Sequence, residues 1–336
     1  MEHEKILTIS IAAYNVEAYI RETLESLLHD DIADDLEILV IDDGGTDHTL
    51  EIAAAYAEVY PESVICVHKE NGGYGSTINT GIARAKGKYF KQLDGDDWYD
   101  AEGLRSLVRV LKQTDADLVL SSYYKVTEPK MTKEYCDIAE HLPAGQYSME
   151  ELTFPKCVSM YSVTYKSQLL REHNIRIAEH CFYTDCEYAT YPNAFVKTVE
   201  VTHDPVYCYR LGRAGQSMSL EGLRRHIDDH RHVVGRLLEK RQEVGEGSNG
   251  YAGLLRRRML GEALLHYDHL YMLEISRKNK KRILQYDSTL KKQDLPIYEE
   301  LGRTVGMIRW LRKSGGRLYT ILCLYVRIKK KMKARG

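Results

Sequence analysis

The stretch KYFKQLDGDD, residues 88–97, runs from an apolar segment straight into three carboxylates within four positions, Asp94, Asp96 and Asp97. Crowded carboxylates repel, and each resists ionising beside another. Such a cluster calls for a cation or a solvated turn. The same pattern repeats upstream. ILTISIAA (6–13) ends at Tyr14-Asn15, LEILVI (36–41) ends at DDGGTD (42–47), and SVICVH (63–68) precedes NGGYGS (71–76). Helical spacing fills 17–29, 47–59, 74–85 and 101–113, and DLVLSSYYKV (117–126) reads as a further strand. Apolar strands alternating with helices predict a doubly wound, mostly parallel α/β sheet with flanking helices. In such open sheets ligands bind beyond the carboxyl ends of the strands. The four polar clusters therefore line one crevice.

Beyond residue 128 the pattern loosens. VSMYSVTY (158–165) reads as a strand, 185–195 as a helix, and 197–202 with 205–211 as paired strands. From about 220 the chain reads as helical, 220–243 and then 251–274, with a break at GEGSNG (245–250). This divides the chain into a sheet domain, 1–215, and a mainly helical C-terminal region, 216–336. Charge divides it similarly. Residues 1–208 hold 18 Lys+Arg and 36 Asp+Glu (−18), residues 209–336 hold 29 and 13 (+16), and the chain nets −2. The two parts thus face different partners.

The seven cysteines make no CxxC pair and read as reduced thiols, which points to the cytoplasm. The charged MEHEKILTIS start predicts no signal peptide, and no apolar run approaches the roughly 20 residues of a membrane span.

Strand-end Asp-x-Asp offers hard oxygen ligands, which suit Mg²⁺ or Mn²⁺ and not zinc. Such ions are held by one or two carboxylates plus substrate phosphates, so the crevice predicts a nucleotide diphosphate. The glycine-rich turn at 71–76 opens a helix, where backbone N–H groups favour phosphate, and Gly73 is its binding candidate.

IAAYN (11–15), VIDDGGTD (40–47), NGGYGSTINTG (71–81) and GKYFKQLDGDDWYD (87–100) together resemble, in order and spacing, the family 2 glycosyltransferases of bacterial cell-surface polysaccharide assembly, which have the GT-A fold. The resemblance spans about 5–215. It implies that Ala13 and Tyr14 line a base pocket, that Asp43 bonds the base and that Asp42 supports its turn. It implies Asp94 toward the ribose, Asp96 on the metal, and Asp97 behind it or beside the donor sugar. CFYTDCEYA (181–189) is similar to the family's base segment, so Asp185 is the implied general base, with Glu187 as fallback. PVYCYRLGRAGQSMS (205–219) supplies Arg210, Arg213 and Gln216 as candidate diphosphate or acceptor contacts. Gly45 stands where Ser is common, Ile78 where Arg is common, and the Q-x-x-R-W pattern of processive synthases is absent.

The implied reaction is an inverting transfer of a sugar from a UDP-sugar donor, with Mn²⁺ or Mg²⁺, to a hydroxyl of a glycan or lipid-linked acceptor. A base is required because a sugar hydroxyl is a poor nucleophile until its proton leaves. RLYTILCLYVRIKKKMK (317–333) joins an apolar stretch to a basic end. It suits an anionic membrane surface, at the inner face of the cell membrane, or a homodimer contact. The 25 tyrosines against 4 phenylalanines offer rings and hydroxyls to sugars. No nucleic-acid motif accompanies the basic charge. A nucleotidyltransferase would need a Gly-rich, basic loop after strand one, where AAYNVEAY stands. A binding scaffold that has lost catalysis is the rival from a different class, although Asp94, Asp96 and Asp185 are all retained.

Overall fold

The computed structural model describes residues 4–212 and 220–333, so Arg213 and Gln216 lie outside the described residues. The first part of the chain runs β1 (Leu7–Ala13), α1 (Ile20–Glu25), β2 (Leu36–Asp42), α2 (Thr49–Val59), β3 (Val64–His68), α3 (Tyr74–Arg84) and β4 (Tyr89–Asp94). It continues with β5 (Trp98–Tyr99), α4 (Ala101–Gln113), β6 (Leu118–Thr127), β7 (Thr132–Cys136), β8 (Gly145–Ser148), β9 (Val163–Lys166), α5 (Ser167–Glu172), α6 (Asp185–Tyr188) and β10 (Thr198–Leu211). One ten-stranded sheet results, in the order β3-β2-β1-β4-β9-β6-β10-β5, with β7 on β6 and β8 on β10.

Strands β3, β2, β1 and β4 are all parallel. Every residue of β2 is buried, as a central strand covered on both faces requires. Register then places the strand ends. Ala13 sits opposite Asp42, Asp42 opposite His68, and Ala12 opposite Asp94. The polar clusters therefore emerge side by side on one edge, as an alternating βα pattern demands. Ile9 and Ile11 of β1, Ile38 and Val40 of β2, and Phe90 and Leu93 of β4 share one core with Leu24, Ile78, Leu104 and Leu107 from the helices. Each fully buried side chain of this kind stabilises by about 1.5–3 kcal/mol.

Antiparallel β9 is wedged between β4 and β6. Three local expectations are corrected. Only the end of the 158–165 run is strand; Met160–Ser162 coils into a 3₁₀ turn. The expected pair 197–202 and 205–211 is one strand, β10, parallel to β6, with register shifts around Pro205. A proline has no N–H for the ladder, so the pairing breaks there without ending the strand. The expected helix 185–195 is a four-residue turn, α6, followed by a 3₁₀ turn at Tyr191–Ala194. Pro192 removes an N–H that a continuing helix needs.

The remaining described helices are α7 (Leu220–Arg225), α8 (Ile227–Val244), α9 (Gly250–Met272), α10 (Arg277–Gln293), α11 (Leu295–Thr304), α12 (Gly306–Lys313) and α13 (Tyr319–Lys333). The chain forms two compact units, Met1–Ala214 with Asn249–Leu254, and Gly215–Ser248 with Leu255–Gly336. Inside the second unit Val233, Leu237, Ile283, Leu290, Ile297 and Leu311 are buried. Two ion pairs tie its helices, the buried Arg241 to Asp294 at 2.6 Å and the half-buried Arg312 to Asp287 at 2.7 Å. No described helix is long and apolar enough to cross a membrane.

Candidate active site

The edge formed by β1, β2, β3 and β4 opens into a cavity of about 420 Å³. Ala13, Tyr14, Asp43, Gly73, Asp94 and Asp96 line it, together with Asn71, Tyr74, Thr77, Cys181 and Phe182. Six sequence-derived candidates thus meet in one place.

Asp42 and Asp43 divide the work of their turn. Asp42 Oδ1 accepts from the Gly45 N–H at 3.1 Å, and Oδ2 meets His68 Nδ1 at 2.6 Å. A Cβ on Gly45 would stand 2.6 Å from Asp42 Oδ1, so a larger residue there requires that carboxylate to shift. Asp43 is buried, and its carboxylate organises the glycine loop. Oδ1 accepts from Lys69 Nζ (2.7 Å), the Gly72 N–H (2.9 Å) and Ser76 Oγ (3.1 Å), and Oδ2 accepts from the Gly73 N–H (2.8 Å). Gly73 precedes α3 with φ +79°, a conformation that favours glycine. Gly75 serves packing: a Cβ there would lie 1.9 Å from the Ala178 carbonyl oxygen.

The acidic turn is pinned from three sides. The Gly95 N–H donates to the Ala12 carbonyl at 3.0 Å, and Thr23 Oγ1 of α1 donates to the Asp97 carbonyl at 2.8 Å. Tyr74 donates its hydroxyl to Asp94 Oδ1 at 2.6 Å. Burial, and then the charge of Asp94, push the Tyr74 phenol well above its ordinary value, so it stays a donor. Asp97 is buried, with Oδ2 accepting from Tyr207 Oη and Oδ1 from the Arg210 N–H, each at 2.7 Å. Burial, and then the charges of Asp94 and Asp96, push its carboxyl well above the usual carboxylate range.

One carboxylate oxygen from each of Asp94, Asp96 and Asp97 lies within 4.8 Å of the others. These are hard oxygen donors without imidazole or thiolate, which fits Mg²⁺ or Mn²⁺. Asp94 and Asp96 are part-exposed at the cavity wall and would hold the ion, while Asp97 braces the turn from behind.

Two candidates, Arg210 and Glu187, do not line the cavity. The Arg210 guanidinium pairs with Glu22 at 2.5 Å and with Glu128, donates from Nε to the Asp96 carbonyl at 2.7 Å, and lies over the Trp98 ring at 4.5 Å. It holds the acidic turn in shape and is not placed to contact a diphosphate. Glu187 is fully buried; its carboxylate accepts from the Ala178 N–H at 2.8 Å and from Tyr191 Oη at 3.1 Å. That geometry braces the 177–181 loop and leaves no path for Glu187 to serve as base.

Asp185 is exposed at the first position of α6. Its charge and that of Asp94 both act on the phenols of Tyr74, Tyr161 and Tyr209. Asp185 does not line the cavity, although Cys181 and Phe182 of the same segment do. Sequence reasoning missed Lys69, Tyr74 and Tyr207. The excess of tyrosine was the available signal, and its use here is chiefly to clamp carboxylates. Tyr161 stacks on Tyr209 at 4.5 Å and tilts against Tyr207 at 4.6 Å behind them.

Residues 8–169 match the profile of Glycosyl transferase family 2. An uncharacterized glycosyltransferase of Rickettsia prowazekii (strain Madrid E) is 31% identical over 169 residues, half of each chain. The chain thus spans about half the length of that curated relative. Among solved structures, S. aureus TarS 1–349 in complex with UDP-GlcNAc superposes with a TM-score of 0.67 at 17% identity, covering 96% of this chain and 92% of that one. The mannosyltransferase PcManGT from Pyrobaculum calidifontis, in complex with GDP-Man and Mn²⁺, gives 0.53 at 16% identity, covering 97% and 87%. At these identities the likeness establishes the fold.

Proposed function

We propose, from the premise that the chain carries a family 2 glycosyl transferase domain over residues 8–169, that this domain moves a sugar from a nucleotide-diphosphate donor to an acceptor hydroxyl with inversion. The observation that carries the reading is the single cavity into which Asp43, Gly73, Asp94 and Asp96 converge. Ala13 and Tyr14 would flank the base, and the loop held by Asp43 would present backbone to the nucleotide. Asp94 and Asp96 would hold Mn²⁺ or Mg²⁺, which when bound neutralises charge on the departing diphosphate. Asp185 would take the acceptor's proton as the oxygen bonds to the anomeric carbon and the sugar–phosphate bond breaks on the opposite face. Its exposure lets the proton pass on to water. Positioned proton transfer of this kind contributes about 10²–10⁴ in rate.

A UDP-sugar is the donor we favour, supported by the nucleotide bound in the TarS complex. A glycan or lipid-linked hydroxyl is the acceptor, reached at the inner face of the cell membrane. In support, α13 exposes Ile321, Leu324, Tyr325 and Ile328 at helical spacing, with the exposed Lys329 beside them. A panel of UDP-sugars with Mn²⁺ tests the core of this. Metal-dependent donor hydrolysis that disappears in Asp96→Ala supports it. Nucleotide binding that needs no metal and gives no turnover with any donor refutes it.

A further inference from the structure

The second unit holds a cluster that the transferase reading does not use. His230 on α8 and His266 and His269 on α9 are all at least 98% buried. A ring nitrogen from each lies within 4.8 Å of the others. The two on α9 are three positions apart, hence on one helix face. His230 Nδ1 and His266 Nδ1 face each other at 3.0 Å. On the far side of the same ring, His230 Nε2 lies 3.0 Å from Glu262 Oε2. A carboxylate in that place keeps the proton on Nε2 and leaves Nδ1 a bare lone pair, the arrangement that orients metal-bound imidazoles. Arg258 Nη1 in turn donates to Glu262 Oε1 at 3.1 Å and fixes the carboxylate.

We propose that His230, His266 and His269 form a binding site for a zinc-like divalent cation, with Glu262 as its supporting carboxylate. Three imidazoles with a fourth position open to a small ligand suit zinc, cobalt or nickel better than the hard ions of the acid cluster. Two nitrogens on one tetrahedral zinc, at about 2.0–2.1 Å each, stand about 3.3 Å apart. The His230–His266 pair needs to open by only a few tenths of an ångström. Of the three, His266 lines a cavity of about 210 Å³, which would offer the ion a way in from that side. The alternative is a plain hydrogen bond between two neutral imidazoles, which needs no third histidine. Bound, the ion would pin α8 to α9.

The test uses the full chain and the metals alone. Chelator-stripped protein is titrated with Co²⁺, then with Zn²⁺, while visible absorption, metal content and melting temperature are followed. We expect one Co²⁺ per chain with the intense visible bands of a tetrahedral site, displaced by Zn²⁺. We expect a melting rise of several degrees with zinc, retained in Asp96→Ala and lost in His266→Ala and His269→Ala. Should the histidine variants not fold, the wild-type cobalt spectrum and its displacement decide alone. No binding at micromolar free metal, or weak octahedral-type absorption only, overturns the proposal. Zinc binding unchanged in both histidine variants overturns it equally.

Discussion

Asp43 gives the sharpest test of how the candidate site is built. Four donors converge on its carboxylate, two of them the backbone N–H groups of Gly72 and Gly73. Asp43→Asn keeps the shape but leaves one acceptor oxygen. The better orientation retains Lys69, Gly72 and Ser76 on that oxygen and turns the new NH₂ toward the Gly73 N–H. One backbone donor then loses its partner, at about 1–3 kcal/mol, and the Lys69 bond drops from an ion pair to an ammonium–amide bond, about 1 kcal/mol more. The sum is about 2–4 kcal/mol. A unit of this size loses about 2–4 °C per kcal/mol, so the melting midpoint of the sheet unit should fall by about 4–16 °C. Amide exchange localises the effect. At a factor of ten per 1.4 kcal/mol, the Gly73 amide should exchange on the order of 30-fold faster or more. UDP affinity should fall with it, because the loop that frames the cavity loosens. If Asp43→Asn melts within a degree of the parent and the Gly73 amide keeps its protection, the loop is held by something other than this carboxylate.

Four further outcomes follow. Asp185→Asn should lower turnover by about 10²–10⁴ while leaving nucleotide affinity unchanged, as read by separate kinetic and binding measurements; a variant that keeps its rate removes Asp185 as base. Gly75→Ala, whose Cβ would meet the Ala178 carbonyl at 1.9 Å, should cost about 3 kcal/mol in denaturant unfolding. Gly235→Ala in α8, with nothing within 4 Å, should be neutral or stabilise by up to about 1 kcal/mol. Lys91 is fully buried, and burial pushes its ammonium down to about 7, against about 10.4 in the unfolded chain. Below pH 7 both states bind the proton and the burial penalty is fully present; between pH 7 and 10 only the unfolded state binds it, so stability should rise with pH, by at most about 1.4 kcal/mol per unit. Lys91→Met should flatten that slope, and a slope that persists in the variant assigns it to another group.

What the sequence made legible and what it hid have separate physical origins. A buried parallel strand writes itself as a continuous apolar run, and the polar residue that ends it marks the sheet edge. That is why Asp43, Gly73, Asp94 and Asp96 are legible in the sequence as lining one crevice. The roles of Arg210 and Glu187 were hidden because a charged side chain carries no local sign of its partner. Arg210 finds Glu22 from 188 residues away, and Glu187 is spent on a loop nine residues back. Tyr207 meets Asp97 across 110 positions for the same reason. The place of strand β9 was not legible because Val163–Lys166 is too short for its period to announce a direction, and only pairing with β4 and β6 reveals it as antiparallel. The histidine cluster belongs with these. His266 and His269 share a helix face by spacing alone, but His230 joins them from 36 residues away through the pairing of α8 with α9. Local periodicity therefore recovers where a site is. The partners that fix protonation and shape within it come from tertiary closeness, and it is on those partners, Tyr74, Tyr207, Lys69 and Glu262, that substitutions will teach most.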